Sequence, residues 1–313
     1  MRCGLAGDLD ALFESQARSW PLLAQGLEGL RASRTRGVRI GSHDVLIRLV
    51  PHRIKSTTAP VDSVSISRRP CFLCRANLPP EEEGIALDDE FTAYCNPFPI
   101  LDRHLTIVHR DHRVQAIAGM VGKALEIAEA LPGSFVIYNG PRCGASAPDH
   151  LHFQACSSEL FPIGRDSRGL DGPAIPGSAR SVVLLRDGNI KSLTRRIETL
   201  IGIVGAVTGS GAEPGSSTEA GSIAEPLLNL ALQHDKGLFS VFLFLRSKHR
   251  PHVYDTGELT VSPAAIDLSG VLVVPLAADF ERVAAGDVQS IFEEVSLPAD
   301  LFAEIVRRFE ETE

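Results

Sequence analysis

The chain has 313 residues, 44% of them hydrophobic and 22% charged, which leaves room for a substantial core in one large unit or in two halves of about 150 residues. Its formal net charge of −8 argues against binding to a nucleic-acid polymer, because such proteins use clustered Lys and Arg. No apolar run approaches the ~20 residues that cross a bilayer, and the N-terminus lacks a signal-peptide pattern, so we expect a cytoplasmic protein with no membrane partner.

The first part of the chain is predicted to begin with an N-terminal helical segment, residues 1–40, that contains an amphipathic helix over 8–32. Apolar residues at helical spacing predict a second helix over 114–131. Strand-like runs occupy residues 43–50, 63–69, 90–100, 103–109, 134–139 and 150–157. The last two runs are joined by a loop rich in Gly, Ser and Pro.

A stretch rich in Gly and Pro then separates a first half, residues 41–165, from a second half, residues 166–313. The low-complexity run 208–222 has almost nothing to bury and is predicted to be a mobile insertion. The second half is predicted to contain strands at 181–187, 238–246 and 270–275, a helix at 190–206 and helices beyond 277. Because strands fill the middle of each half, the pattern favours an α+β fold with antiparallel sheets over a doubly wound parallel sheet.

A pair of cysteines, Cys71 and Cys74, stands in the C-x-x-C pattern of CFLC. Structural zinc takes four thiolate and imidazole ligands and commonly uses such a pair for two of them. His112 and His150 are candidates to complete a Cys2His2 site. A redox pair and plain packing are the alternatives, although a redox C-x-x-C usually opens a helix, whereas an asparagine and two prolines follow here.

The segment DHLHFQ carries His150, His152 and Gln154 at alternate positions, which on a strand place their side chains on one face. A neutral imidazole at such a face can attack phosphorus and form a covalent phosphoramidate. Gln154 can donate a hydrogen bond to a phosphate oxygen, and the preceding loop with Gly144 and Ser146 can offer backbone N–H groups to the same phosphate. The simpler interpretation of the histidines is a solvated pair or an adventitious metal site.

The segments YNGPRCGASAPDHLHFQ, CFLC and RHLTIVHRDHR together resemble the histidine-triad and galactose-1-phosphate uridylyltransferase superfamily, in its His-x-His-x-Gln branch. With SKHRPHVY and VSPAAIDLSGVLVV, the chain most resembles GDP-L-galactose phosphorylase, GDP-D-glucose phosphorylase and their bacterial relatives. The likeness is specific over residues 68–165 and looser over 225–296. It implies two histidine-triad-like halves with antiparallel sheets.

The resemblance implies that His152 is the nucleophile and that Gln154 supports a nucleotidylated intermediate. Histidine-triad hydrolases carry a third histidine where Gln154 stands, and this replacement is associated with transfer to phosphate or a sugar phosphate instead of water. The resemblance also implies a structural Zn²⁺ shared by His150, His112 and the cysteine pair, with His109 as a rival to His112.

Further residues are implied to bind the substrate. Asn96 and Asn139 match asparagines that contact the nucleotide in the uridylyltransferase, and His104 matches a histidine of a related strand in triad proteins. Basic residues near the predicted strand ends are candidates to clamp phosphates or the acceptor, although each also has the simpler interpretation of a solvated side chain: Arg142, Lys248, His249 and Arg250.

These features predict a phosphorolytic nucleotidyltransferase. It would transfer the nucleoside monophosphate of a GDP-hexose-like nucleotide sugar, through a covalent nucleotidyl-histidine, to phosphate. A diadenosine tetraphosphate phosphorylase and a hexose-1-phosphate nucleotidyltransferase stay open, with a dinucleoside polyphosphate or a sugar phosphate as partner. A non-catalytic nucleotide-binding protein on the same scaffold is the alternative of another class. Relatives of this fold often pair subunits, so a homodimer is a further expectation.

Overall fold

The structure, a computed structural model, describes residues 5–59, 62–170, 172–210 and 225–313. The predicted mobile insertion lies outside the described residues from position 211 onward. The described chain has the predicted α+β fold, with helices around an eight-stranded antiparallel sheet and a three-stranded sheet. Within these ranges no helix combines the length and the hydropathy that a membrane span requires.

The helices are α1 (Leu5–Ser19), α2 (Pro21–Arg31), α3 (Ile54–Thr57), α4 (Ser63–Ser67), α5 (Val121–Ala130), α6 (Pro162–Asp166), α7 (Ile190–Thr208), α8 (His252–Asp255), α9 (Ala265–Leu268), α10 (Ala277–Arg282), α11 (Ala285–Val295) and α12 (Ala299–Glu310). The strands are β1 (Arg34–Ile40), β2 (His43–Leu49), β3 (Gly84–Ala86), β4 (Phe91–Cys95), β5 (Leu105–His109), β6 (Ser134–Asn139), β7 (His152–Ser157), β8 (Val182–Asp187), β9 (Leu228–Asp235), β10 (Leu238–Leu245) and β11 (Val271–Val274). Short 3-10 turns lie at Pro51–Arg53 and Arg75–Asn77.

The large sheet has the order β3-β4-β5-β7-β6-β9-β10-β8 and runs through both predicted halves of the chain. β6 and β9 join the halves, with Val136 opposite Leu232. One face of the sheet carries apolar side chains that pack on α1, α5 and α7 in a single core. The division into halves at residues 165 and 166 stays a prediction, because the sheet itself is continuous across it.

The other face of the large sheet is covered only in part. The small sheet, β1-β2-β11, packs with its helices on β6, β9 and β10, where Ile137, Ala231 and Phe242 join a second core. Side chains of β4, β5 and β7 on this same face, such as Tyr94 and Thr106, line a cavity instead. The fold therefore leaves one end of the sheet open for a ligand.

The structure divides one predicted helix and replaces one predicted strand with a helix. The single helix expected over 8–32 is divided into α1 and α2, because Pro21 cannot continue a helix and Trp20 before it is extended, with φ −113° and ψ 101°. The strand expected over 63–69 is wrong, since its first residues form α4. The side chain of Asp62 accepts from the backbone N–H of Ser65 at 2.9 Å and caps this short helix.

Further elements differ in their extent or presence. The N-terminal segment is not helical throughout, because residues Arg34–Ile40 form β1 and pair with β2. β9, which no local pattern predicted, lies between β6 and β10 in the large sheet. The helix expected over 114–131 is shorter and covers only α5.

Candidate functional site

His152 opens β7, and its side chain lies on the uncovered face of the sheet. Its Nδ1 lies 2.8 Å from the carbonyl oxygen of His150, which can only accept, so the hydrogen is on Nδ1 and Nε2 keeps its lone pair. The side-chain oxygen of Gln115 accepts from the His152 N–H at 2.8 Å and holds the backbone in place. The residue is 4% exposed, and this burial lowers the pKa of His152 to about 4. The ring is therefore neutral at pH 7.

Gln154 is oriented by a chain of hydrogen bonds through His104. The N–H of Ile100 donates to Nδ1 of His104 at 3.1 Å, so Nε2 of this ring carries the hydrogen. That Nε2–H donates to the side-chain oxygen of Gln154 at 2.8 Å. Burial lowers the pKa of His104 to about 3, which keeps the ring neutral and the arrangement unchanged near pH 7. The amide NH₂ of Gln154 is thereby left available to a ligand.

A cavity of about 500 Å³ extends over the uncovered face from β7 toward β3. Across the strands, Gln154 lies opposite Thr106, Thr106 opposite Tyr94, and Tyr94 opposite Gly84. Three strand spacings give this floor a length of about 14 Å. The remaining walls are largely apolar and come from Trp20, Leu22, Phe72, Leu73, Leu78, Pro79, Pro97 and Phe98. This size and lining are typical of a site for a small organic ligand.

A second, smaller cavity of about 60 Å³ adjoins the first. The two cavities share the lining residues Arg53, Ser56, Ser146 and Gln154. The small cavity is also lined by Asn139, Gly144, His249 and Arg250 from the predicted substrate-binding set. The structure thus brings residues from both parts of the chain to one place beside Gln154.

Three cations that the sequence interpretation missed line the large cavity, namely Arg53, Lys55 and Arg69, of which Arg69 pairs with Asp149 at 3.1 Å. Nε of Arg53 and Nη1 of Arg69 are buried and have no hydrogen-bond partner among the described residues. Burial lowers the pKa of Arg53 to about 10, so it is still a cation at pH 7. An anionic group of a ligand would supply the missing acceptors. The basic runs HRIK and SRR were the only local signals for these residues.

The loop after β6 lies between the predicted nucleophile and the second part of the chain. Gly144 has φ +95°, and a Cβ there would lie 2.7 Å from that of Ala264, so the close approach of the two segments requires glycine. The side-chain oxygen of Asn139 accepts from Ala265 N–H at 3.0 Å and from the Asn229 amide at 2.8 Å. The Asn139 side chain therefore holds the loop in place as well as lining the small cavity.

Some predicted substrate-binding residues have other positions or partners. Arg142 is exposed, donates to the Glu225 carbonyl at 3.0 Å and lines neither cavity. Lys248 also lies outside both cavities and pairs with Glu294. Asn96 lines the large cavity, but its side chain already accepts from Phe98 N–H and donates to Thr106. The positions of Arg142 and Lys248 thus give no support to a direct contact with substrate.

The four residues predicted from the cysteine pair as metal ligands lie together in the structure: Cys71, Cys74, His112 and His150. Their ligand atoms all lie within 4.8 Å of one another. Sγ of Cys71 is 3.3 Å from Nδ1 of His150, and Sγ of Cys74 is 3.2 Å from Nδ1 of His112. Ligands of a tetrahedral ion with bonds of ~2.0–2.3 Å lie about 3.5 Å apart. The donor set and its spacing therefore fit a metal ion.

The histidines of the cluster are oriented for this role. Nε2–H of His150 donates to the carbonyl oxygen of His109 at 2.7 Å, which turns its unprotonated Nδ1 toward the thiols, as the outer contacts of metal-binding histidines do. His109 is not in the cluster, because its own Nδ1 accepts from the N–H of Asp111 at 3.0 Å. His112 is therefore the fourth member of the set.

The cluster is connected to both the predicted nucleophile and the cavity wall. The carbonyl of His150 is the group that holds Nδ1 of His152. The amide of Asn77, which lines the large cavity, donates to the carbonyl of Cys71 at 2.8 Å. A rigid cluster at this position would stabilise the orientation of His152 as well as one wall of the cavity.

Comparison with known proteins supports this description. Over 93% of this chain and 96% of the other, the fold matches yeast Ap4A phosphorylase Apa2 in complex with AMP, with a TM-score of 0.62 and 14% identity. A further structure of the yeast enzyme matches with a TM-score of 0.58 and covers 89% of this chain and 98% of the other. Its complex with Ap4A matches with a TM-score of 0.57 and covers 88% and 97%, and both structures are again 14% identical. Residues 228–311 match the family model GDPGP1-like, C-terminal domain. The chain thus shares the fold of the yeast phosphorylase, and its C-terminal region is similar to the GDPGP1-like family.

Residues 12–157 match a further family model, a domain of unknown function (DUF4922). No curated protein matches the sequence significantly. At 14% identity the yeast structures establish the fold, and they cover nearly the whole of both chains. The resemblance seen in the sequence is thereby confirmed for the fold and for the C-terminal region.

Proposed function

We propose that the protein is a phosphorolytic nucleotidyltransferase that acts on a nucleoside diphosphate sugar of the GDP-hexose type through a covalent nucleotidyl-His152. The observation that carries the proposal is the neutral ring of His152, whose Nε2 keeps its lone pair in a cavity that adjoins a second, cation-lined cavity. The match of residues 228–311 to the GDPGP1-like family and the fold shared with a yeast phosphorylase support an enzyme of this class.

We assign a two-step reaction to this site. Nε2 of His152 attacks the α-phosphorus, the N–P bond forms, and the bond to the bridging oxygen breaks with its electron pair on the leaving hexose 1-phosphate. An oxygen of inorganic phosphate then attacks the same phosphorus, the N–P bond breaks, and a nucleoside diphosphate leaves with a neutral ring behind it. The leaving groups are weak bases, so no separate general acid is required.

Three groups stabilise the charge that develops on the phosphorus oxygens in this scheme. The NH₂ of Gln154 donates to a non-bridging oxygen, and Arg53 and Arg69 supply positive charge from the cavity wall. The small cavity, with His249 and Arg250, takes the leaving phosphate group and then the incoming phosphate. The same pocket thus serves both half-reactions, as a ping-pong sequence needs.

We further propose that the Cys2His2 cluster holds a structural Zn²⁺. Two thiolates and two imidazoles are a closed ligand set, which gives the ion a structural function. His150 and Cys71 then keep the backbone on either side of the cavity in position. The transfer itself is carried out by His152 and the groups around it, without the ion.

A diadenosine tetraphosphate phosphorylase is the second candidate. The observation that favours it is the match to yeast Ap4A phosphorylase, whose structures include complexes with AMP and Ap4A. Its chemistry at His152 would be the same, and only the leaving group would differ.

A cytoplasmic location and a homodimer stay predictions. The five cysteines in the described residues are free, which is in keeping with a reducing compartment.

The proposal is tested by intact-mass measurement. The protein is incubated, without phosphate, with a panel of nucleoside diphosphate sugars and diadenosine polyphosphates. We expect the protein to gain one nucleoside monophosphate from its substrate, and phosphate added afterwards to remove the group as a nucleoside diphosphate. A protein that turns over a panel member while its mass never changes would contradict a covalent intermediate.

Replacing Gln154 with alanine is expected to slow formation of the covalent adduct by about 10²–10³-fold, the usual effect of losing one donor to a developing oxyanion. Single-turnover rates from intact-mass time courses measure the effect. Gln233→Ala is the matched control, because that glutamine donates to Ser158 at 3.2 Å and lines neither cavity. Equal rates in the two variants would remove Gln154 from the mechanism.

A further inference from the structure

Glu82 lies at the end of the large cavity away from His152. It is two residues before β3, whose Gly84 lies opposite Tyr94, and it lines the cavity together with Tyr94 and Asn77. A Cβ at Gly84 would lie 2.5 Å from the Tyr94 ring, so the absence of a side chain there leaves room for that ring beside Glu82. The floor of the cavity thus connects the predicted nucleophile at β7 to a carboxylate at β3.

The carboxylate of Glu82 has no partner within the described part of the chain. No hydrogen bond or ion pair reaches it from those residues, and burial raises the pKa of Glu82 to about 7 without a nearby cation to oppose the shift. A half-buried carboxylate of this kind is costly unless something donates to it. The two arginines of the cavity, Arg53 and Arg69, are at positions that the proposed function gives to the phosphate.

Asn77 adds a second acceptor at this end. Its Nδ2 donates to the carbonyl of Cys71 at 2.8 Å, so its side-chain oxygen is the atom left for a ligand. A purine offers its Watson–Crick edge to such a pocket. Guanine presents two neighbouring donors there, N1–H and the 2-amino group, whereas adenine presents one donor beside the bare acceptor N1. Two acceptors in the protein complement guanine and repel the N1 of adenine.

We propose that Glu82 determines the base specificity, with its carboxylate accepting from N1–H and the 2-amino group of a guanine ring. The inference rests on the proposed function in placing a nucleotide in this cavity, with its phosphate at His152. The cavity floor of about 14 Å leaves the base at the end where Glu82 and Asn77 lie, between the apolar walls. Glu82 is a recognition residue in this assignment and takes no part in bond making.

Equilibrium binding tests the assignment, with GMP and AMP titrated by calorimetry at pH 8, where the carboxylate of Glu82 is ionised. The wild-type protein is expected to bind GMP at least about tenfold more tightly than AMP. Glu82→Ala should weaken GMP binding by about 10- to 100-fold and leave AMP binding nearly unchanged. Glu82→Gln should raise the affinity for AMP, because a carboxamide can donate to N1 of adenine and accept from its amino group.

Glu81→Gln is the matched control, since Glu81 is exposed in the same turn, and its GMP affinity should equal that of the wild type. Thermal melts establish that each variant is folded. Equal GMP and AMP affinities in the wild type, or a GMP to AMP ratio that Glu82→Ala leaves unchanged, would overturn the proposal. These measurements need no turnover, so base recognition can hold when the mass experiment finds no adduct, and can fail when an adduct forms from several nucleotides.

Discussion

Replacing His152 with alanine is expected to lower turnover by about 10⁴-fold or more, the effect seen when a covalent nucleophile is removed from an otherwise complete site. The reason is geometric. The ring has one nitrogen hydrogen-bonded to the His150 carbonyl and the other available to the cavity. Among the described residues that line this cavity, no second histidine is present. The variant should also gain no nucleotide mass when the wild type does.

The control for His152→Ala is a histidine away from the site. His234 lies on β9, stacks on Phe239 with ring centroids 4.4 Å apart, and lines neither cavity. His234→Ala should keep both the rate and the adduct. A comparable melting temperature and unchanged binding of GMP in His152→Ala would show that the fold and the cavity persist. A normal rate in His152→Ala, or an adduct that peptide mapping assigns to another residue, would refute the nucleophile assignment.

The sequence predicted those parts of the site that lie in short motifs. Alternation in DHLHFQ identified His152 and Gln154, and the C-x-x-C spacing identified two of four cluster residues. Even there the motif was incomplete. His150 lies just before β7, not within it, and this position directs its ring to the cysteines while its carbonyl holds His152.

The parts that the sequence did not predict depend on tertiary packing. Arg53, Arg69 and Glu82 come from a 3-10 turn and two loops within residues 53–82, and no motif distinguishes them from ordinary surface residues. They line one cavity only because the small sheet covers part of the large one and leaves the rest uncovered. The sequence also could not decide whether His109 or His112 is the metal ligand. The decision depends on the hydrogen bond that Nδ1 of His109 accepts from the N–H of Asp111.

The same reasoning explains the fold-level differences. Of the two strands that were missed, β9 pairs with the distant β6, with Asn139 opposite Asn229, and such pairing lies outside a local window. β1 is different, because it forms a hairpin with the adjacent β2 across the two residues 41 and 42. For helix α4 the sequence did contain a local signal, the capping aspartate Asp62. The strand-like composition of SVSIS nevertheless favoured a strand.

Removing the metal is expected to affect structure and chemistry together. The purified protein should contain about one zinc per chain, and Cys71→Ser should lose it, because a serine hydroxyl is a poor replacement for a thiolate in a closed four-ligand set. The melting temperature should then fall by roughly 5–10 °C, since metal binding contributes directly to folding free energy. Elemental analysis and thermal melts measure the two effects.

Loss of the ion should also slow adduct formation at His152, because the carbonyl that holds Nδ1 of this ring belongs to a cluster member, His150. Cys156→Ala is the matched control: this cysteine is buried in β7 but takes no part in the cluster, so the variant should retain its zinc. If Cys71→Ser loses the metal and adduct formation keeps the wild-type rate, the cluster acts on stability alone. If the wild type is metal-free, stable and active, the four residues hold the loop through their own hydrogen bonds, and the orientation of His152 depends on Gln115 and the strand register instead.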